Sequence, residues 1–91
     1  MAQYEHLPIY QKAMALVVYI EKTVAGFDRY HRYNIGADLR RLARRNLSLI
    51  IRANQAIHER FKVLSQLRDN IEELKVCLRI GKEVRAFRNL N

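Results

Sequence analysis

Five arginines lie close together near the middle of the chain: Arg40, Arg41, Arg44, Arg45 and Arg52. On a helix, Arg41, Arg45 and Arg52 project from nearly one line, and Arg40 and Arg44 flank it. A straight basic ridge can follow a phosphate backbone, and the planar guanidinium fork matches phosphate oxygens. No acidic residue interrupts this stretch. The pattern therefore favours nucleic-acid binding over an ordinary solvated helix face.

A second basic row follows nearer the C-terminus, formed by Arg68, Lys75, Arg79 and Lys82 and interrupted by Glu72. On a helix these four cations fall within a narrow sector. One interpretation is a further phosphate-binding surface. The other is a solvated face on which Glu72 pairs with Arg68, Lys75 or both.

The formal net charge is +8, and it is placed unevenly. Residues 1–39 carry equal numbers of acidic and basic side chains, whereas residues 40–91 carry thirteen basic and five acidic ones. A field concentrated in one part of a small protein favours a polyanionic partner. An anionic membrane surface is disfavoured as that partner, because the apolar helix faces are needed inside a bundle.

Residue types that do catalysis or bind metals are poorly arranged. Glu72 and Glu73 are adjacent and diverge on a helix, so they do not form an acid–base pair. His6, His31 and His58 are scattered, and no His or Cys pair has metal-ligand spacing. There is no glycine-rich phosphate loop. We therefore expect no enzyme activity, no catalytic residue, no cofactor and no metal site.

An aromatic and basic connection, FDRYHRY, occupies residues 27–33. Its aromatic rings can stack on unpaired bases. Alternatively they close one end of the hydrophobic core, which is the interpretation favoured for a small protein that needs its aromatic residues inside.

The elements that position these residues are helices. With 91 residues, 49% of them hydrophobic, three glycines and one proline, the chain fits a single all-α domain spanning residues 1–91. We expect an antiparallel bundle of three long helices. The first begins at Pro8 and is stopped by Gly26, with Ile9, Ala13, Leu16, Val17, Ile20 and Val24 on one apolar face.

The second helix is expected from about Ile35 to about Ala56, with the side chain of Asn34 as its N-terminal cap. Its main apolar stripe comprises Ile35, Leu39, Leu42, Asn46, Leu49, Ile50 and Ala53. Asn46 in this stripe either specifies register or oligomeric state, or bonds to its own preceding turn.

A second apolar strip on this helix, Ala43, Leu47 and Ile51, lies more than a quarter turn from the main stripe. A core of three helices does not easily cover both, so we expect the strip to contact another helix or another subunit.

The third helix is expected from about Arg60 to about Phe87, with a stripe of Leu64, Leu67, Ile71, Leu74 and Leu78. Gly81 in the same seam is expected to permit the close approach of another backbone.

The cysteine content and the distribution of apolar residues favour a cytoplasmic location. The single cysteine, Cys77, has no internal disulfide partner and fits a reducing cytoplasm. The N-terminus lacks the order of a signal peptide, and no apolar run approaches the ~20 residues that span a bilayer.

Four segments carry a family resemblance: HLPIYQKA at 6–13, FDRYHRY at 27–33, IGADLR at 35–40 and IIRAN at 50–54, together with 67–87. They resemble the Avd-like four-helix-bundle family, the accessory variability determinants of diversity-generating retroelements. This family is related to the bundle proteins encoded in intervening sequences of ribosomal RNA genes.

The resemblance implies a basic, barrel-shaped homopentamer that binds the retroelement reverse transcriptase and nucleic acid, and that supports mutagenic copying of template RNA into cDNA without being a polymerase. By position, it places the contacts on the arginine-rich second helix and on the basic side of the third. The family has a fourth helix, whereas three long ones are evident here. The competing function is a structural oligomerisation bundle with no nucleic-acid role.

Overall fold

The computed structural model describes residues 3–87, and within them the regular structure is entirely helical. A 3-10 turn, Gln3–His6, precedes four α-helices: α1 (Pro8–Ala25), α2 (Arg29–Tyr33), α3 (Ile35–Gln55) and α4 (Arg60–Glu83). Three of these helices are long, which confirms the expected all-α class. Over the described range, no helix is both long and apolar enough to cross a membrane.

Helix α1 begins and ends where the sequence predicts. Pro8 occupies its first turn, where a missing backbone N–H costs nothing, and Gly26 follows its last residue. The buried side chains Ala13, Ile20 and Val24 share one face. Leu16 and Val17 lie beside them and are partly buried.

Helix α3 buries the predicted stripe. Leu39, Leu42, Asn46, Leu49 and Ala53 alternate three and four residues apart and are buried on one face, which the adjacent buried Ile50 widens. The face is wide enough to touch two helices at once. Its α1 side and its α4 side therefore present different residues to solvent at their margins.

The long helices run antiparallel in chain order, with α3 in the middle. The start of α3 meets the end of α1, where Arg40 pairs with Glu21. Helix α4 is likewise antiparallel to α3. At the start of α4, Arg60 Nε donates to the carbonyl of Ala53 near the end of α3, and further along, the Asn70 amide donates a 2.9 Å hydrogen bond to the Leu42 carbonyl. Helix α3 packs closely against both α1 and α4, whereas α1 and α4 approach each other much less closely.

The buried residues form two clusters, one toward each end of the molecule. The first is centred on Phe27, Leu39 and Leu74. The second is centred on Ala13, Leu49 and Leu67. Between them lie the two buried polar side chains of the described chain, Asn46 and Asn70.

The connection between α1 and α3 is more ordered than expected. Residues 29–33 form the short helix α2, because the Asp28 carboxylate accepts a hydrogen bond from the His31 backbone N–H and caps it. The predicted cap at Asn34 is wrong: its side chain makes no cap bond to α3. The Asn34 amide instead donates to the Tyr30 carbonyl, 2.8 Å away, and so terminates α2.

Helix α4 departs from its predicted stripe. The buried positions are Val63, Leu67, Asn70, Leu74, Cys77 and Gly81, a regular alternation of four and three residues. Leu67 and Leu74 are buried as expected. At the other three positions the buried residue is the one before the expected residue: Val63, Asn70 and Cys77 in place of Leu64, Ile71 and Leu78. Leu64 and Ile71 consequently lie on its margin and are exposed.

The end of α4 also differs. The helix stops at Glu83 rather than near Phe87, and Arg85 has a left-handed φ of 62°. This reversal brings the Phe87 ring back onto the helix, where a Cβ built on Gly81 would lie 2.7 Å from Phe87 Cε2. The close approach expected at Gly81 is therefore made by a side chain of the same chain and not by another backbone.

Candidate nucleic-acid interface

The arginines of α3 are divided between its two sides. Arg40 and Arg44 both turn toward α1 and form ion pairs with one carboxylate, that of Glu21. Glu21 is the only acidic residue in the second half of α1, and it lies within ion-pair distance of both guanidinium groups, although only Arg44 donates a hydrogen bond to it. These two arginines thus tie α1 to α3 and retain less free charge than the sequence suggests.

The other three, Arg41, Arg45 and Arg52, form the arginine cluster. They point toward the side of α3 that borders α4 and line a groove of about 380 Å³ together with Ser48, Leu49 and Gln66. All three are exposed. Because none of the groove's lining residues is acidic, the positive charge of the cluster is not neutralised there.

The pairing of the cluster is weak. Arg41 is 3.8 Å from Asp38 at an exposed position, where an ion pair contributes little. Arg45 and Arg52 have no carboxylate within 4 Å among residues 3–87. The cluster therefore offers guanidinium forks to an incoming anion.

Gln66 adds a neutral polar group at the α4 edge of the groove. Its Oε1 atom is buried and has no hydrogen-bond partner. An adjoining groove, which shares Arg41 and Arg45, is lined also by Asp69 and Glu73, so the positive potential falls toward that end. The Ser48–Arg52 end is the side best suited to phosphate.

Three of the four cations in the predicted basic row of α4 have a carboxylate of their own helix within 4 Å, all at exposed positions where an ion pair contributes little. Arg68 lies 3.8 Å from Asp69, Lys75 lies 3.2 Å from Glu72, and Arg79 lies 3.3 Å from Glu83. Lys82 has no such partner in the part of the chain that the structure describes. Glu72 pairs with Lys75 and not with Arg68, so the solvated-face interpretation describes most of this row.

The strip expected at an oligomer interface is partly used inside the single chain. Ala43 is 0% exposed and belongs to the first core cluster, which corrects its assignment to a surface. Leu47 is half-buried against the second core cluster. Ile51 is half-buried. Gly81 is covered by the Phe87 ring, so Leu47 and Ile51 alone retain surface for a neighbour.

The aromatic connection is divided between core and surface. Phe27 is buried and meets Phe87 edge to face, with ring centroids 5.2 Å apart. Tyr30 and Tyr33 are exposed. The core interpretation holds for Phe27, and the two tyrosines remain available to a ligand.

Cys77 is buried on α4, and burial raises the pKa of its thiol, with the nearby Asp38 carboxylate acting in the same direction. A thiol held in this way is a poor nucleophile. Over residues 3–87, no three His, Cys, Asp or Glu side chains are grouped to hold a metal ion.

The sequence pattern identified neither Gln66, which lines the groove, nor Glu21, which pairs with Arg40 and Arg44 on the α1 side of α3. Glu21 had a signal, since an antiparallel α1–α3 pair joined by a short connection places the end of α1 beside the start of α3. Gln66 had none, because a single glutamine in a helix carries no periodic pattern.

Comparisons with protein-family models, curated proteins and solved structures find no match to this chain.

Proposed function

We propose that this chain is a non-enzymatic nucleic-acid-binding protein and that the arginine cluster is its binding surface. The observation that carries the proposal is the groove beside Arg41, Arg45 and Arg52, whose lining contains three arginines and no carboxylate. Polyanion binding needs this combination of exposure, like charge and spacing.

Contact is made mainly with phosphates. Arg41 and Arg45 are one helical turn apart, about 6 Å along the axis, and Arg52 lies about 10 Å further on. Each guanidinium group donates two parallel hydrogen bonds to phosphate oxygens. Ser48 adds a hydroxyl donor and Gln66 an amide donor. Such contacts position a nucleic acid without reading its bases, so binding is weakly dependent on sequence.

The biological setting that we propose rests on the family resemblance. The chain acts as an accessory protein of a diversity-generating retroelement, binds template RNA or cDNA together with the reverse transcriptase, and supports mutagenic copying. We further propose that it forms a homo-oligomer, a barrel-like pentamer by the same resemblance, through the apolar surface that Leu47 and Ile51 retain.

The test is a fluorescence anisotropy titration of labelled single-stranded RNA and DNA across salt concentrations. If three arginines each neutralise one phosphate, the log–log slope of affinity against salt should be about −2 to −3 per chain. The triple variant Arg41→Glu, Arg45→Glu and Arg52→Glu should lose binding and keep its helical circular dichroism spectrum. The control is Lys22→Glu, an exposed charge reversal on α1.

Equal affinity of the triple variant and the wild type would remove the arginine cluster from the mechanism. A flat salt response would remove phosphate contact as its basis. Either result would favour the structural oligomerisation bundle, in which the basic surface only keeps the protein in solution.

A further inference from the structure

A second surface of interest lies on the other face of α3, between α1 and α4. Two cavities of about 250 and 240 Å³ open there. They share Ile9, Ile50 and Leu67 in their linings, so they form one continuous trough. The trough exists because α1 and α4 both pack on α3 without closing on each other.

The walls of the trough are apolar and exposed. Ile9 is 56% exposed, Leu64 is 47% exposed and Ile71 is 37% exposed. Leu64 and Ile71 are seven residues apart on α4, which corresponds to about 10 Å or two helical turns. An apolar trough of this length fits the face of an amphipathic helix with anchors at positions i, i+3 or i+4, and i+7.

The charge at the trough is of one sign. Lys12 and Arg60 line it, and no acidic residue does. Neither cation has a carboxylate within 4 Å among the residues that the structure describes. A second copy of this face would bring like charges together, whereas acidic residues beside the apolar face of a partner would complement them.

The floor of the trough holds an unsatisfied polar group. Asn46 lines it, is only 6% exposed, and its Oδ1 atom is buried without a hydrogen-bond partner. The Leu42 carbonyl, one helical turn before Asn46, accepts a side-chain hydrogen bond from Asn70 and not from Asn46. An unpaired buried amide oxygen is costly, so an occupant with a donor at this depth is favoured.

We infer that the trough between α1 and α4 binds an amphipathic helix of a partner protein, with an apolar face, acidic flanking residues and one polar donor that reaches Asn46. This surface is on the opposite side of α3 from the arginine cluster. The inference therefore does not depend on nucleic-acid binding.

The test uses a designed, fluorescein-labelled helical peptide about 18 residues long, with leucines on one face and glutamates beside them. A twin peptide carries lysine in place of every glutamate. The acidic peptide should bind with saturable, micromolar affinity and the basic twin at least tenfold more weakly. Lys12→Glu should weaken the acidic peptide about fivefold and strengthen the basic one.

Matched variants isolate the trough. Lys22 lies on the same helix but lines neither cavity. Lys22→Glu makes the same charge change and should alter the affinity for the acidic peptide less than twofold. Ile71→Glu should abolish binding, whereas Val76→Glu, exposed on α4 outside the trough, should not. Arg45→Glu should leave peptide affinity unchanged, which separates this site from a polyanion site on the arginine cluster.

Equal binding of both peptides, or equal effects of Lys12→Glu and Lys22→Glu, would overturn the inference. So would absence of binding by either peptide at millimolar concentration. A wild-type dimer in sedimentation that Ile71→Glu dissociates would assign the trough to a second copy of this chain, and would likewise refute a partner helix.

Discussion

The α-carbon of Gly36 lies beside the carbonyl oxygen of His31, so close that a Cβ built on Gly36 would be 2.9 Å from that oxygen. The same Cβ would lie 2.7 Å from Val24 Cγ1. The glycine thus lets the start of α3 pass directly over the end of α2 and against α1. A backbone carbonyl cannot move aside as a side chain can.

We therefore expect Gly36→Ala to destabilise the protein by about 1–3 kcal/mol, through overpacking at a rigid contact. The measurement is the urea midpoint of unfolding at constant m-value. Gly81→Ala is the control. The atoms nearest its added methyl belong to the outer end of the Phe87 ring and not to the backbone, and alanine is favoured over glycine in a helix by about 1 kcal/mol. An equal loss at both positions would contradict this explanation.

Arg44 and Arg45 are neighbours of the same type on opposite margins of α3, and they should contribute differently to nucleic-acid affinity. Arg44 is paired with Glu21, whereas Arg45 lines the acid-free groove. Arg45→Ala should reduce RNA affinity about three- to tenfold at low salt, and Arg44→Ala less than twofold. Anisotropy titrations of the two variants make the comparison. A larger effect at Arg44 would place the interface on the α1 side.

Self-association should depend on Ile51. Because Leu47 packs against the second core cluster, its replacement would disturb the fold, whereas Ile51 is only half-buried and outside both core clusters. Ile51→Glu should convert an oligomer to monomers in light scattering without loss of helical signal. The control is Ile57→Glu, at an exposed position in the α3–α4 connection. A monomeric wild type at micromolar concentration would refute the proposed assembly.

The Cys77 thiol should resist modification in the folded protein. Its pKa is raised from the ordinary 9.0, so the folded state favours the neutral thiol. Stability from this group is present below pH 9.0 and is lost as pH rises toward the folded-state pKa, because the unfolded chain ionises first. Cys77→Ala should reduce the loss of stability above that pH, as followed by urea unfolding.

The reactivity of the same thiol gives a second measurement. A thiol reagent at neutral pH should react slowly with the native protein and rapidly in urea. Fast reaction of the native protein would contradict the buried placement of Cys77.

The fold was predictable where one pattern dominated. Helix α1 begins at Pro8 and ends before Gly26 as expected, and the stripe through Leu39 and Leu49 on α3 is buried as expected. Each of these features depends on local chemistry or on regular spacing within one helix. Neighbouring helices are not needed to identify them.

The stripe of α4 was predictable only in part, because the pattern of large apolar residues predicts Leu64 and Ile71 in the core. The bundle buries Asn70 in this stripe and leaves Leu64 and Ile71 at the open trough. Spacing alone does not distinguish the two registers, since both alternate three and four residues. The way α4 packs on α3, where the Asn70 amide donates to the Leu42 carbonyl, decides between them, and that is a tertiary property.

For the candidate site, the sequence predicts the concentration of charge but not its neutralisation. Whether Arg44 faces Glu21 or solvent depends on which side of α3 the first helix occupies. The same holds for Ala43, which the sequence pattern assigns to a second apolar strip and the structure buries in the first core cluster.

The central place of α3 has a consequence for how the molecule opens. Helix α1 and helix α4 each have one principal neighbour, whereas α3 has two. Local detachment of either outer helix leaves the other pair in contact, so α3 amides become fully exposed only when the whole chain unfolds. Native-state hydrogen exchange should then rank α3 slowest, with exchange free energies near the global value, and α1 and α4 below it.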